Sequence, residues 1–163
     1  MSESREVQQL LSIIDQAYDH RSWHGTNLRG SIRGLSPKQA SRRPRPERPN
    51  IWELVVHAAY WKYAVTRRLT SQRRGSFPLK GSNWFPRGQT ANDEQWRADV
   101  ALLEKMHRAL REAVASLSAA DLSRTPKGST ISNAFIISGI AAHDLYHAGQ
   151  IQLLKKLLRA DSR

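Results

Sequence analysis

The chain has 163 residues, 39% of them hydrophobic and 25% charged, with 26 Lys and Arg against 14 Asp and Glu and a formal net charge of +12. That length suits one domain, residues 1–163, and is short for two; five Trp, four Tyr and three Phe supply large groups for a core, which argues against a disordered chain. No Cys is present, which excludes disulfides, thiolate nucleophiles and thiolate metal ligands, so any metal site must use His, Asp or Glu.

The start "MSESREVQQL" has no apolar signal core, and the longest uncharged run, 128–142, is too short and too polar to span a bilayer. A cytoplasmic protein with no membrane partner is expected. The arginines are spread over "SRRPRPERP", "TRRLTSQRR" and single positions, and they do not interleave with aromatics in a nucleic-acid-binding signature. A solvated basic surface is therefore preferred over a nucleic-acid-binding module, which stays as the alternative.

Apolar residues recur at helical spacing in four long segments, and nothing alternates convincingly with period two, so the predicted fold is all-α. The first segment, 5–20, carries the stripe Val7, Leu10, Leu11, Ile14 and Tyr18. A break at "SWHG" precedes a shorter helical piece through Ile32, which Gly34 and Pro37 stop. The basic, proline-rich 41–50 reads as a linker into a second long helix, capped by Asn50 with Glu53 in the capping-box position and running to about residue 72. The stretch 73–89, "RRGSFPLKGSNWFPRGQ", is a Gly- and Pro-rich loop bearing Phe77, Trp84 and Phe85, expected to pack over a pocket as a lid. Asn92 caps the third long helix, with Gln95 in the box position and Trp96, Val100, Leu103, Met106 and Leu110 as its stripe; 118–130 connects to a fourth helix over about 131–159. Four such helices with modest connections predict a four-helix bundle.

In the fourth helix, "AAHDLYHAGQ" sets His143 and His147 at i and i+4, offset by only about 40° around the axis and about 6 Å along it. Their face also carries Ile136, Ile140, Ile151, Leu154 and Leu158, so both imidazoles point into the core. Burying them unpartnered costs on the order of 1–3 kcal/mol each, and either polar neighbours or a divalent cation must offset this. In the second helix His57 lies on the inward stripe with Leu54, Ala58, Trp61, Val65 and Leu69. Three inward histidines on two helices form a neutral N3 set for a divalent metal, with positions left for water or substrate, and imidazole suits Zn, Ni, Fe and Cu. His24 sits at the "SWHG" break, where a bend can aim it at the pocket or leave it in a local contact; His20 and His107 read as surface or flank positions.

"HDLYH" has the outline of a zincin helix with Asp144 in place of Glu, but 16 residues follow His147, none is His, and the sole acid among them is Asp161, which argues against a protease. Asp144 is expected to orient a ligand imidazole or to pair with an arginine of a neighbouring helix. Gln150 lies within reach of the same region, and Trp61 is the favoured pocket wall. Tyr60 and Tyr146 lie near ligands but off their stripe, and plain packing explains all four as readily as function.

Together, "HAAYWKY" and "HDLYHAGQIQLLKKL" resemble the DinB/YfiT-like group of small metal-binding proteins across nearly the whole chain. The resemblance implies a four-helix bundle, often dimeric, with a metal held by one His from the second helix and two from the fourth, matching His57, His143 and His147. It also implies a range of activities: thiol S-transferases and an isomerase that use a low-molecular-weight thiol, and members with no assigned activity. The expected function is a metal-dependent enzyme of thiol-transferase or hydrolase type, with Zn or Ni favoured and Fe the next fit. A non-catalytic metal-binding stress or interaction protein remains the alternative.

Overall fold

The computed structural model describes residues 4–160, so the first and last three residues, Asp161 among them, lie outside the described part of the chain. Among the described residues there are seven helices and no strand: α1 (Arg5–Tyr18), α2 (Leu28–Ile32), α3 (Pro37–Ser41), α4 (Ile51–Leu69), α5 (Asp93–Ala115), α6 (Ala119–Ser123) and α7 (Asn133–Ala160). The four long helices α1, α4, α5 and α7 match the expected amphipathic segments. Their starts follow from side-chain caps: Ser4 Oγ accepts from the Val7 amide at 3.3 Å, Asn92 Oδ1 from the Gln95 amide at 2.9 Å, and Asn50 with Glu53 forms the reciprocal capping box. α4 ends at Leu69, short of residue 72, because Ser71 takes the left-handed φ of 55°. α7 starts at Asn133 and not 131, with Ser132 Oγ accepting from the Phe135 amide at 3.3 Å.

Two short helices depart from the sequence reading. Pro37 was expected to stop a helix, yet it opens α3: Ser36 caps, Pro37 fills the first turn, and Gln39 completes a capping box. Likewise "SAAD", expected as a connection, nucleates α6 through the Ser118–Asp121 box. The 41–50 segment also does more than link. Arg43 forms a two-pronged ion pair with Glu53, and Asn50 Nδ2 donates to the Arg87 carbonyl at 2.9 Å. Gly88, at φ +76°, passes so close to Ser41 that an added Cβ would lie 2.5 Å from the serine Cβ.

α7 packs on both α1 and α4, α4 packs on α5, and α5 on α1, which closes a ring of four long helices; α2 lies against α7. From Ile51 to Ala59 every residue of α4 is buried, Glu53 and His57 among them, so the first half of this helix is covered on all sides. Each fully buried Leu or Ile contributes about 1.5–3 kcal/mol. The core divides into two apolar clusters. One holds Trp52, Leu54, Phe85, Trp96, Leu103 and Ile151; the other holds Val7, Leu11, Ile14, Leu110, Val114, Ile137 and Ile140.

Between the clusters each long helix contributes polar residues at one level: Tyr18 after Ile14 on α1, Lys62 between Ala59 and Val65 on α4, His107 between Leu103 and Leu110 on α5, and His143, Asp144 and His147 between Ile140 and Ile151 on α7. No described helix is long and apolar enough to cross a membrane.

Candidate metal centre

α4 and α7 bring His57, His143 and His147 together. His57 Nε2 lies 3.2 Å from His143 Nε2, and His147 Nε2 lies 3.0 Å from the same atom. One nitrogen from each ring falls within 4.8 Å of the others, so the three could hold a metal ion. Two nitrogens bound to one cation at about 2.0–2.1 Å sit about 2.9–3.4 Å apart, and both measured separations fit that span.

The far side of two rings fixes their tautomers. His57 Nδ1–H donates to the Asn83 carbonyl at 2.8 Å, and His147 Nδ1–H donates to Gln150 Oε1 at 2.7 Å. Each therefore presents an Nε2 lone pair to the centre. A single Nε2–H on His143 could serve only one of two facing lone pairs well, whereas a cation serves all three. His143 Nδ1 is buried with no partner among the described residues.

Burial is the main reason all three imidazoles are neutral. It depresses His143 to about 3, aided by His147, His57 and Lys62; it depresses His147 to about 4 against the opposing Gln150 bond; and it lowers His57 against the opposing Asn83 carbonyl. Neutral imidazoles are the protonation state that metal ligation requires.

Aromatic rings enclose the triad. Trp84 stacks on His57 with centroids 4.0 Å apart and a 13° interplanar angle, and Trp61 stands edge-on to His57 and His143 at 6.4 and 6.3 Å. Asn83 ties both features down: while its carbonyl accepts from His57, its Oδ1 accepts from Trp61 Nε1 at 2.9 Å. It does so at φ 64°, a left-handed conformation that Asn tolerates better than most residues.

Asp144 is fully buried and faces away from this chemistry. Its partner is Lys62 of α4, itself wholly buried, and neither an arginine nor a ligand imidazole as expected. Burial raises the Asp144 carboxyl while the ammonium opposes the shift. Lys62 Nζ also sits 4.9 Å from the Tyr18 ring centroid, and Tyr18 stacks on His107 at 3.6 Å.

His107 thus corrects the surface assignment. It lies four residues after Leu103 and three before Leu110, on the buried face of α5, and burial followed by the Lys62 charge depresses it to about 2. His24 is exposed within its bend, its Nδ1 3.5 Å from Ser22 Oγ, so the bend turns it to solvent and not toward the triad. His20 is exposed, and Tyr146, 64% exposed, sits edge-on to His147 at 5.2 Å.

The pocket-covering loop predicted to bear Trp84 does bring that ring onto His57, but sequence reasoning did not single out Asn83 or Lys62 as parts of this region. For Lys62 a signal existed, since it lies four residues after Ala58 and three before Val65 on the inward stripe. For Asn83 the only signal was its place in a Gly/Pro-rich loop.

The chain matches no curated protein and no solved structure in sequence or structure comparison. Its residues 20–151 match the family model described as the DinB superfamily, a span that takes in α2 through the triad-bearing part of α7. The chain belongs to the DinB superfamily.

Proposed function

We propose that this single-domain, four-helix-bundle protein is a metal-dependent enzyme of thiol S-transferase or hydrolase type, with His57, His143 and His147 holding Zn or Ni, and Fe as the next fit. The observation that supports this best is the convergence of three neutral imidazoles, two of them already oriented as lone-pair donors. A divalent cation held by three neutral ligands supplies a Lewis acid that lowers the pKa of a coordinated water or small thiol. The chain's own residues supply the rest. Asn83 and Gln150 orient two ligand rings, Trp61 and Trp84 shed water from one side, and the Lys62–Asp144 pair fixes α4 against α7 at the level of the triad.

The test is metal content and cobalt-substituted visible absorption of the purified protein. About one metal per chain is expected, and His143→Ala should lower metal affinity at least tenfold. A His143→Ala chain that keeps stoichiometric metal would sink the ligand assignment. Metal at full occupancy with no turnover of thiol acceptors or hydrolysable esters would leave the non-catalytic metal-binding reading instead.

We propose that the expected homodimer forms through α7. Phe135, Gly139, Ala142, Tyr146, Gly149, Leu153 and Leu157 form a solvent-facing stripe, and Phe135, Tyr146 and Leu153 are 65%, 64% and 58% exposed. A Cβ at Gly139 or Gly149 would meet nothing within 4 Å, so two such faces can approach closely about a twofold axis. Light scattering is expected to give about twice the 18.5 kDa chain mass, reverting to monomer in Tyr146→Glu/Leu153→Glu. A monomeric parent chain would exclude the dimer.

A further inference from the structure

Beside the triad, the end of α4 and the loop after it border an open cleft of about 550 Å³ whose wall includes Tyr60, Trp61, Tyr63 and Phe77. Trp61 is a shared partition, lining this cavity while standing edge-on to His57 and His143. Arg67 and Arg68 from the last turn of α4 line the cleft together with Arg74 from the loop, and the same three arginines line a second cavity of about 370 Å³ that Lys127 also borders. Neither cavity has an acidic residue in its wall, and none of the three arginines has an ion-pair partner among the described residues.

The position of Arg74 is built into the fold. Tyr63 Oη accepts from the Gly75 and Ser76 amides, each at 3.2 Å, and from Ser76 Oγ at 3.3 Å, which pins the turn beside α4. Gly75 adopts φ +100° there, a conformation that favours glycine. Phe77 follows and packs edge-on to Tyr60 at 5.4 Å.

We propose that Arg67, Arg68 and Arg74 form the anion-holding end of a cleft that binds a small ligand carrying a carboxylate or phosphate on an apolar, ring-sized body. Three arginines lining the same two cavities with no acid in either wall leave their charge unbalanced there, and an oxyanion supplies the missing counter-charge while matching their planar donor forks. A concave wall focuses the field of the basic end, and the chain's +12 charge draws anions toward it. The aromatic wall suits the ligand body, and the volume lies within the range of about 300–1,000 Å³ typical of small-molecule sites. A nucleic acid would instead use an extended groove with successive stacking platforms. The inference rests on the metal-enzyme reading for placing the ligand's body next to a reactive centre, but anion capture needs only the arginines.

The experiment uses the full chain freed of metal by a chelator, titrated with phenyl phosphate, benzoate and neutral benzyl alcohol, and followed by tryptophan fluorescence and calorimetry. Phenyl phosphate or benzoate should bind, the tighter of the two naming the group, and benzyl alcohol should not. Arg67→Ala/Arg74→Ala should weaken anion binding about tenfold or more, with Arg67→Lys weakening it less. Raising the ionic strength from about 0.05 to about 0.2 M should weaken it further. These arginines lie at the surface, and unchanged circular dichroism identifies a folded variant; Lys80→Ala gives an independent milder lesion at the rim of the larger cavity. Equal affinity of the double variant and the parent would overturn the proposal. So would tight binding of an oligothymidylate by a chain that ignores phenyl phosphate. Anion binding that requires metal and vanishes in His143→Ala would overturn the cleft while leaving the metal reading intact; anion binding retained in a protein that binds no metal would support the cleft while removing that reading.

Discussion

Replacing Lys62 with methionine is expected to lower the free energy of unfolding by about 3–5 kcal/mol, one of the largest single-site effects in the molecule. The substitution keeps much of the side-chain volume but leaves the Asp144 carboxylate buried among α1, α4 and α7 with no counter-charge. Asp144 Oδ1 already lacks a partner among the described residues, and the unpartnered Tyr18 Oη and His107 Nδ1 belong to neutral groups that cannot replace the charge of the ammonium. Asp144→Leu alone should be similarly damaging, since it strands the ammonium. The double variant Lys62→Met/Asp144→Leu is expected to recover most of the loss, because a buried pair offsets its own desolvation only narrowly. Denaturant titration of the four chains gives the coupling energy. Single and double losses that simply add would mean that the pair contributes nothing as a pair.

The second large effect is acid lability of the metal-free protein. His107 has a folded-state value of about 2 against an ordinary 6.5, chiefly through burial. Between those values the unfolded chain binds more protons than the folded one, so the contribution to stability is full above about pH 6.5 and is lost as the pH falls below it. His107 alone can contribute a slope of up to about 1.4 kcal/mol per pH unit. His143, at about 3, and His147, at about 4, act in the same direction. Unfolding free energy measured from about pH 7 to about pH 5 should therefore decline steeply, before most carboxylates titrate. His107→Phe keeps a ring stacked on Tyr18 and removes one titrating group; its profile should be measurably flatter. An identical slope in parent and variant would rule out His107 as a source.

Much of this was legible from the chain because the helices report themselves by period. The stripe of α1 names most of its buried face, and that of α7 puts His143 and His147 inward, although the buried face of α7 is wider and also takes in Ile137, Ala141, Asp144 and Ala148. His107 escaped because the buried face of α5 is wide enough to take in both Met106 and its neighbour, whereas a narrow stripe through Met106 leaves position 107 outside. Asn83 escaped for another reason. Its carbonyl does the orienting, and a backbone group carries no residue signature; only the fold brings it within 2.8 Å of His57. α3 and α6 were hidden because Pro37 was read as stopping the preceding helix and Ser118 as part of a connection, whereas the capping partner three residues after Ser36 and Ser118 marks the start of a new one.

The loop between α4 and α5 was expected to behave as a lid, and its fastenings give it a different thermodynamic character. It is stitched at intervals: to Tyr63 through Gly75 and Ser76, to the core through Phe85, to His57 and Trp61 through Asn83, and to Asn50 through Arg87. A segment stitched in this way has surrendered its conformational entropy during folding, so an incoming ligand need not pay to order it. Its amides should exchange with solvent together with those of α4, as one cooperative unit, and the rim of the site should be as rigid before a ligand arrives as after.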